Sequence, residues 1–258
     1  MITDADIAHW RSHVPWVDPD QVEQDLVLSR VIVEIANDPV LGSELVFRGG
    51  TCFHKLWLDR PWRYSEDLDY VRTTAGGVGD ILTALRSIGE RVGFERVNTA
   101  IGQHPKACFR STFAIGGPMT VKIEINTYER SPSRPIVQRS FGVDNPWFTG
   151  EAAVSTFDLT ELIAAKIRGL FQRKKGRDLF DLWLAVQHAG VAPADIAACF
   201  EPYRPDGWSA SRALDNLNAK LGDAQFVRDL DPLIGELPEG YTIDDAARVA
   251  RAVIAAAA

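Results

Sequence analysis

The chain has 258 residues, 46% of them apolar and 24% charged, enough for one large domain or two modest ones, each with its own core. Its formal net charge of −7 excludes strong surface-wide attraction to nucleic acid and leaves only a locally basic site open to it. No apolar stretch approaches the roughly 18 residues of a membrane span. The acidic N-terminal segment lacks the basic-then-apolar order of a signal peptide. Cys52, Cys108 and Cys199 form neither a CxxC pair nor a disulfide framework, which points to the cytoplasm.

Residues 20–37 have helical periodicity, with Leu26, Val27, Ile32, Val33 and Ile35 supplying much of the apolar face. Asn37-Asp38-Pro39 ends that helix. Leu45-Val46-Phe47 is predicted as a buried strand, followed by the turn Arg48-Gly49-Gly50-Thr51, a helix over 51–58 and a strand over 66–71. An amphipathic helix is predicted over 76–93. Strands over 107–115 and 119–127 follow, joined by Gly116-Gly117-Pro118. In the second of these, Val121, Ile123 and Ile125 share one face, and Lys122, Glu124 and Asn126 the other. Residues 131–150, rich in Pro, Ser and Gly, read as a connection. Helices are predicted over 159–172, 178–189, 193–201, 209–221 and 243–257. The division expected is an α/β domain over 1–150 and a helical domain over 151–258.

Two aspartates one residue apart on a strand, Asp67 and Asp69, point to the same side. Carboxylates held so close repel unless a cation lies between them. Gly49-Gly50-Thr51 is a turn where backbone N–H groups can face a phosphate; equally, Thr51 could simply cap a helix there. Together they read as a Mg²⁺–NTP site, with phosphoryl or nucleotidyl transfer as the chemistry. Glu124 is a candidate third metal carboxylate, or a solvated strand residue. Lys55, one helical turn past Thr51, is a candidate nucleotide contact or an exposed helix lysine, and Arg63 and Ser65, flanking the aspartates, are candidate nucleotide contacts or ordinary loop residues. Further on, Lys166 and Asp181 are either an ion pair between two helices or a phosphate-binding lysine with its orienting aspartate. Asp178 can cap the helix that follows. The basic run Arg173-Lys174-Lys175 is a solvated loop or a groove for an RNA backbone. The five histidines show no metal-ligand spacing.

Phe47-Arg48-Gly49-Gly50-Thr51 through Lys55, Arg63-Tyr64-Ser65-Glu66-Asp67-Leu68-Asp69, Glu161 to Lys166, and Arg177-Asp178-Leu179-Phe180-Asp181-Leu182 occur in that order. Together they resemble the AbiEii/AbiGii family, the nucleotidyltransferase-like toxins of AbiE-type toxin–antitoxin pairs, which include the mycobacterial MenT toxins. The departure is Cys52-Phe53-His54, which puts a histidine beside the glycine turn. The resemblance implies an α+β fold: a polymerase-β-like nucleotidyltransferase core, with a mixed sheet flanked by helices, and then a helical C-terminal half. It implies Mg²⁺-dependent transfer of nucleotides, pyrimidines favoured, to tRNA acceptor ends, blocking translation, under restraint by a cognate antitoxin. Asp67 and Asp69 would be the metal pair, with Lys166 and Asp181 (or Asp178) as later essential residues. A protein or small-molecule acceptor such as an aminoglycoside, phosphotransfer from the γ-phosphate, and a catalytically inactive binding protein are the other readings.

Overall fold

The computed structural model describes residues 2–258, which divide into two compact units. The first runs to Arg130 and resumes over Ile136–Phe157; the second comprises Ser131–Pro135 and Asp158–Ala258.

The first unit begins with α1 (Asp4–Trp10), α2 (Pro19–Asn37) and α3 (Leu41–Glu44). Asp18 caps α2 by accepting from the Asp20 N–H at 3.0 Å, and Pro19 occupies the first helical position, where a missing N–H costs nothing. The helix buries Val22, Leu26, Ile32 and Ile35, and the burial of each such side chain stabilises by about 1.5–3 kcal/mol. There follow β1 (Leu45–Arg48), α4 (Gly49–Leu56), β2 (Asp67–Arg72), α5 (Gly79–Val92), β3 (Arg96–Ala100), β4 (Lys106–Thr112), β5 (Pro118–Asn126), β6 (Val137–Asn145) and β7 (Phe148–Thr156). The strands form one mixed sheet of order β3-β4-β5-β2-β1-β7-β6. Pairing is parallel between β1 and β7 and between β2 and β5, and antiparallel elsewhere. Alternation sorts each strand: Val121, Ile123 and Ile125 of β5 are buried, while Lys122 and Glu124 are only half-buried.

The second unit is helical: α6 (Leu159–Gln172), α7 (Gly176–Gln187), α8 (Pro193–Ala198), α9 (Ala210–Leu221), α10 (Ala224–Val227) and α11 (Ile243–Ala256). Asp158 caps α6 through the Thr160 N–H at 3.0 Å. Leu162, Ile163, Leu179, Phe180, Leu184 and Val253 belong to its core. Gly176 permits a close approach, since a β-carbon there would lie 2.2 Å from the Phe226 carbonyl oxygen.

A mixed sheet with helices, followed by helices alone, is the class expected from the sequence. Three strands depart from it. β3 was not foreseen, and β6 with β7 occupies most of the stretch read as a connection. Residues 136–157 therefore belong to the sheet-bearing unit, whose last residue is Phe157. Among the described residues no helix is long and apolar enough to cross a membrane.

Candidate active site

Strand register brings the predicted carboxylates together. Asp69 of β2 lies opposite Arg48 of β1 on one side and Glu124 of β5 on the other; Asp67 lies opposite Lys122. Directly opposed residues put their side chains on the same face, so these five groups share one. Arg48 is ion-paired with Glu129, whose N–H is in turn held at 3.0 Å by the Asn126 side chain. Lys122 sits 2.7 Å from Glu124. Burial alone would lower the Lys122 pKa, but the hydrogen bond to Glu124 and the charges of Asp67, Glu124 and Asp69 outweigh it and hold the ammonium above the ordinary lysine value.

The glycine turn packs directly on this group. Gly49 has φ +85°, a left-handed conformation, and a β-carbon there would fall 2.4 Å from Asp69 Oδ2. Gly50 covers the buried Arg63: a β-carbon would lie 2.3 Å from its Nη2 and 3.3 Å from Ser65 Oγ. Arg63 Nη1 donates to the Tyr64 carbonyl at 3.1 Å. Thr51 does not cap α4, which begins at Gly49 with Arg48 in the cap position. Its hydroxyl instead donates to the Asp67 carbonyl at 2.6 Å and lies 2.9 Å from Ser65 Oγ, stapling the segment before β2 to the helix. Gly49, Gly50, Thr51, Arg63, Ser65, Asp67 and Asp69 thus form one connected group.

Lys55 and His54 are engaged elsewhere. Lys55 Nζ is 2.8 Å from Asp25 and 2.9 Å from Ser29 Oγ, with its side chain 7% exposed, so it ties α4 to α2 rather than pointing at the predicted phosphates. His54 is buried, and its Nδ1 accepts the Trp62 N–H at 3.1 Å, which makes it a support for the loop before β2.

Among the described residues no three of His, Cys, Asp and Glu are grouped so as to hold a metal ion by themselves, and Glu124 stands opposite Asp69 on the neighbouring strand. Its carboxylate is engaged by Lys122. The pair Asp67/Asp69 still suits Mg²⁺, which takes hard oxygen donors and is commonly held by one or two carboxylates plus substrate phosphates.

In the second unit, Lys166 of α6 reaches Asp181 Oδ2 of α7 at 2.6 Å and Asp178 Oδ1 at 3.5 Å. All three side chains are buried, and Asp178 is also engaged by Arg173 Nη2 at 2.8 Å. Asp181 is therefore the nearer partner of Lys166. Asp178 is shared with Arg173 and does not cap α7, where Lys175 holds the cap position. Burial, and then the charge of Asp181, pushes the Tyr241 phenol up to about 12. The basic run is neutralised inside its own unit: Arg173 on Asp178, Lys174 on Asp223, Lys175 on Asp229.

Residues 30–250 match the family model of the nucleotidyl transferase AbiEii toxin of type IV toxin–antitoxin systems. The chain belongs to that family. Its fold is shared with JHP933 from Helicobacter pylori (TM-score 0.59, 16% identity, 93% of this chain and 92% of that one). It is shared too with MenT4, a nucleotidyltransferase toxin from Mycobacterium tuberculosis H37Rv (TM-score 0.63, 16% identity, 100% of this chain and 90% of that one). No curated protein matches the sequence significantly.

In this AbiEii family member, sequence reasoning passed over two supports. Arg48 was read only as part of the turn, yet it stands opposite Asp69. Glu161, which opens the third motif, is fully buried and accepts from Ser133 N–H, Arg134 N–H and Tyr203 Oη at 3.1, 3.1 and 2.6 Å. A glutamate inside an otherwise apolar helical stretch was the available signal, since a buried carboxylate needs donors.

Proposed function

We propose that this chain transfers a nucleotide, a pyrimidine by preference, from an NTP to the 3′ hydroxyl of a tRNA acceptor end in the cytoplasm, and so blocks translation. The observation that carries the reading is the seating of the Asp67/Asp69 pair against the Gly49 turn at the head of α4. Carboxylates and a helix N-terminus in contact offer an anionic and a phosphate-seeking element at one place.

Asp67 and Asp69 would hold Mg²⁺, which supplies charge neutralisation for the phosphates and the departing pyrophosphate. The chain's own residues provide the rest. The Gly49-Gly50 backbone receives phosphate oxygens, while Arg63, fixed beneath Gly50, and Ser65, held by Thr51, keep the segment before Asp67 in place. In the reaction the acceptor oxygen forms a bond to the α-phosphorus, the bridge to the β-phosphate breaks, pyrophosphate leaves, and the hydroxyl proton passes to solvent. Lys166 and Asp181 keep the essential roles that family resemblance gives them, tested by substitution within their own unit. A cognate antitoxin would restrain the activity, as in other toxin–antitoxin pairs.

The test is incubation with Mg²⁺, total tRNA and each α-³²P-labelled NTP, beside Asp69→Ala. Label on tRNA with one NTP, lost in a folded Asp69→Ala protein, is the expected result. A folded Asp69→Ala protein with full transfer would sink the site, and label found only on protein or small molecules would replace the acceptor.

A further inference from the structure

The basic run Arg173-Lys174-Lys175, a solvated loop or an RNA groove by sequence, is engaged in ion pairs within its own unit, which leaves open where an RNA backbone would lie. The sheet offers an answer. Val97 and Phe109 lie beneath Gly89 of α5, so their neighbours in alternation face away from that helix. Register then sets two rows running outward from the carboxylates. Asp69 is followed by Glu124, Lys106 and Ala100; Asp67 is followed by Lys122, Cys108 and Asn98. A third row holds Thr120, Arg110 and Arg96.

On β3, β4 and β5 this face therefore carries four cations, Arg96, Lys106, Arg110 and Lys122, in a chain of net charge −7. Its one carboxylate, Glu124, is taken by Lys122. Arg96, Lys106 and Arg110 are exposed, and among the described residues none of them is in an ion pair or a side-chain hydrogen bond. No aromatic side chain lies among the strand residues of this face. Exposed unpaired cations without stacking rings suit phosphates rather than bases.

We infer that this face of β3–β4–β5 is the track along which the acceptor's single-stranded RNA backbone runs to the Asp67/Asp69 pair. The inference rests on the proposed RNA acceptor and deepens it. Three strand spacings separate β2 from β3, a width of about 14 Å, so the track reaches the carboxylates without leaving the sheet. Lys122 stands at the inner end, where it is already held among carboxylates; the three free cations form the outer part.

The test uses the full chain and a fluorescein-labelled single-stranded oligoribonucleotide with a free 3′ hydroxyl, with anisotropy read across a fourfold range of salt. The variants are Arg96→Ser/Lys106→Ser/Arg110→Ser together and the conservative pair Arg96→Lys/Arg110→Lys. Three phosphate contacts at about −0.7 each give a log–log salt slope contribution near −2, or about a twenty-fold larger loss of affinity for wild type over that range. The triple variant is expected to lose this portion of the slope and the conservative pair to keep it. An unchanged slope and affinity in the triple variant would overturn the track. So would retained RNA binding with lost binding of polyglutamate, which would mark a surface for an acidic protein. Because binding is read without turnover, a wild type that binds RNA through the strip yet transfers nothing defeats the transfer reading alone. Transfer to tRNA that is indifferent to the strip defeats the track alone.

Discussion

Gly49→Ala tests the contact on which the site reading depends. The residue has φ +85°, where an L-side chain costs about 1–2 kcal/mol. The new β-carbon would also lie 2.4 Å from Asp69 Oδ2, 3.0 Å from its Cβ and 3.1 Å from its Cγ. Relieving that overlap means moving the turn or the carboxylate by about 1 Å, at an overpacking cost of about 1–3 kcal/mol. The sum, roughly 2–5 kcal/mol, is smaller than the stability of most domains, so the variant is expected to fold. Its transfer activity is expected to fall about a hundred-fold or more, because a displacement of about 1 Å at a reacting centre has that effect. Gly50→Ala is the companion: no positive φ, and contacts only with side-chain ends, Arg63 Nη2 at 2.3 Å and Ser65 Oγ at 3.3 Å, hence a smaller loss of stability. Urea unfolding gives the first quantity and label transfer to tRNA the second. A Gly49→Ala protein with wild-type stability and wild-type transfer would refute the packing of Asp69 against the turn.

Lys55→Met strips a buried ammonium from Asp25, leaving that carboxylate with the Trp10 indole donor at 3.0 Å. The expected loss is about 3–5 kcal/mol with an unchanged KM for NTP, and a stable variant with raised KM would return Lys55 to the phosphates. Thr51→Val removes the hydroxyl shared by the Asp67 carbonyl and Ser65. A loss of about 1–3 kcal/mol is expected, with faster hydrogen exchange over residues 63–67; unchanged exchange would contradict the staple. Burial raises the Glu23 pKa above 4.5 despite the Ala114 N–H it accepts, and Asp20 and Asp4 add to the rise. A carboxyl with a raised folded pKa favours the fold while protonated. Its contribution is therefore greatest below pH 4.5 and declines as pH rises through the folded value. The stability of Glu23→Gln relative to wild type should accordingly improve from pH 4.5 to pH 7, and a gap that stays flat in paired urea titrations would contradict the assignment.

The legible parts of this molecule were those whose signal is local. The α2 period, the β5 alternation and the Asp67/Asp69 spacing each fit within a few residues, and each element lies where the sequence placed it, within a few residues. β6 and β7 were illegible because Gly142, Gly150 and the Asn145-Pro146 turn dilute the alternation; of β6, only Val143 and Asn145 are buried. β3 is a five-residue edge strand whose inward residues, Val97 and Thr99, are too few to make a pattern. Charge partnerships failed for a different reason. Lys55 pairs with Asp25, thirty positions earlier, and Lys174 and Lys175 pair with Asp223 and Asp229, about fifty positions later. Helical spacing says which residues share a face but not what the fold brings to that face.

The path of the backbone has a practical consequence. The chain enters the helical unit over Ser131–Pro135, returns to the sheet for β6 and β7, and only then enters the helical unit for good. A fragment beginning at residue 158 would leave Glu161 with one of its three donors, the Tyr203 hydroxyl, since Ser133 and Arg134 would stay behind. A single cut thus cannot yield two intact halves. Insertion of tags or binding partners into this protein is better directed to exposed turns such as Gly116-Gly117, which lie clear of all three passages of the chain between the units.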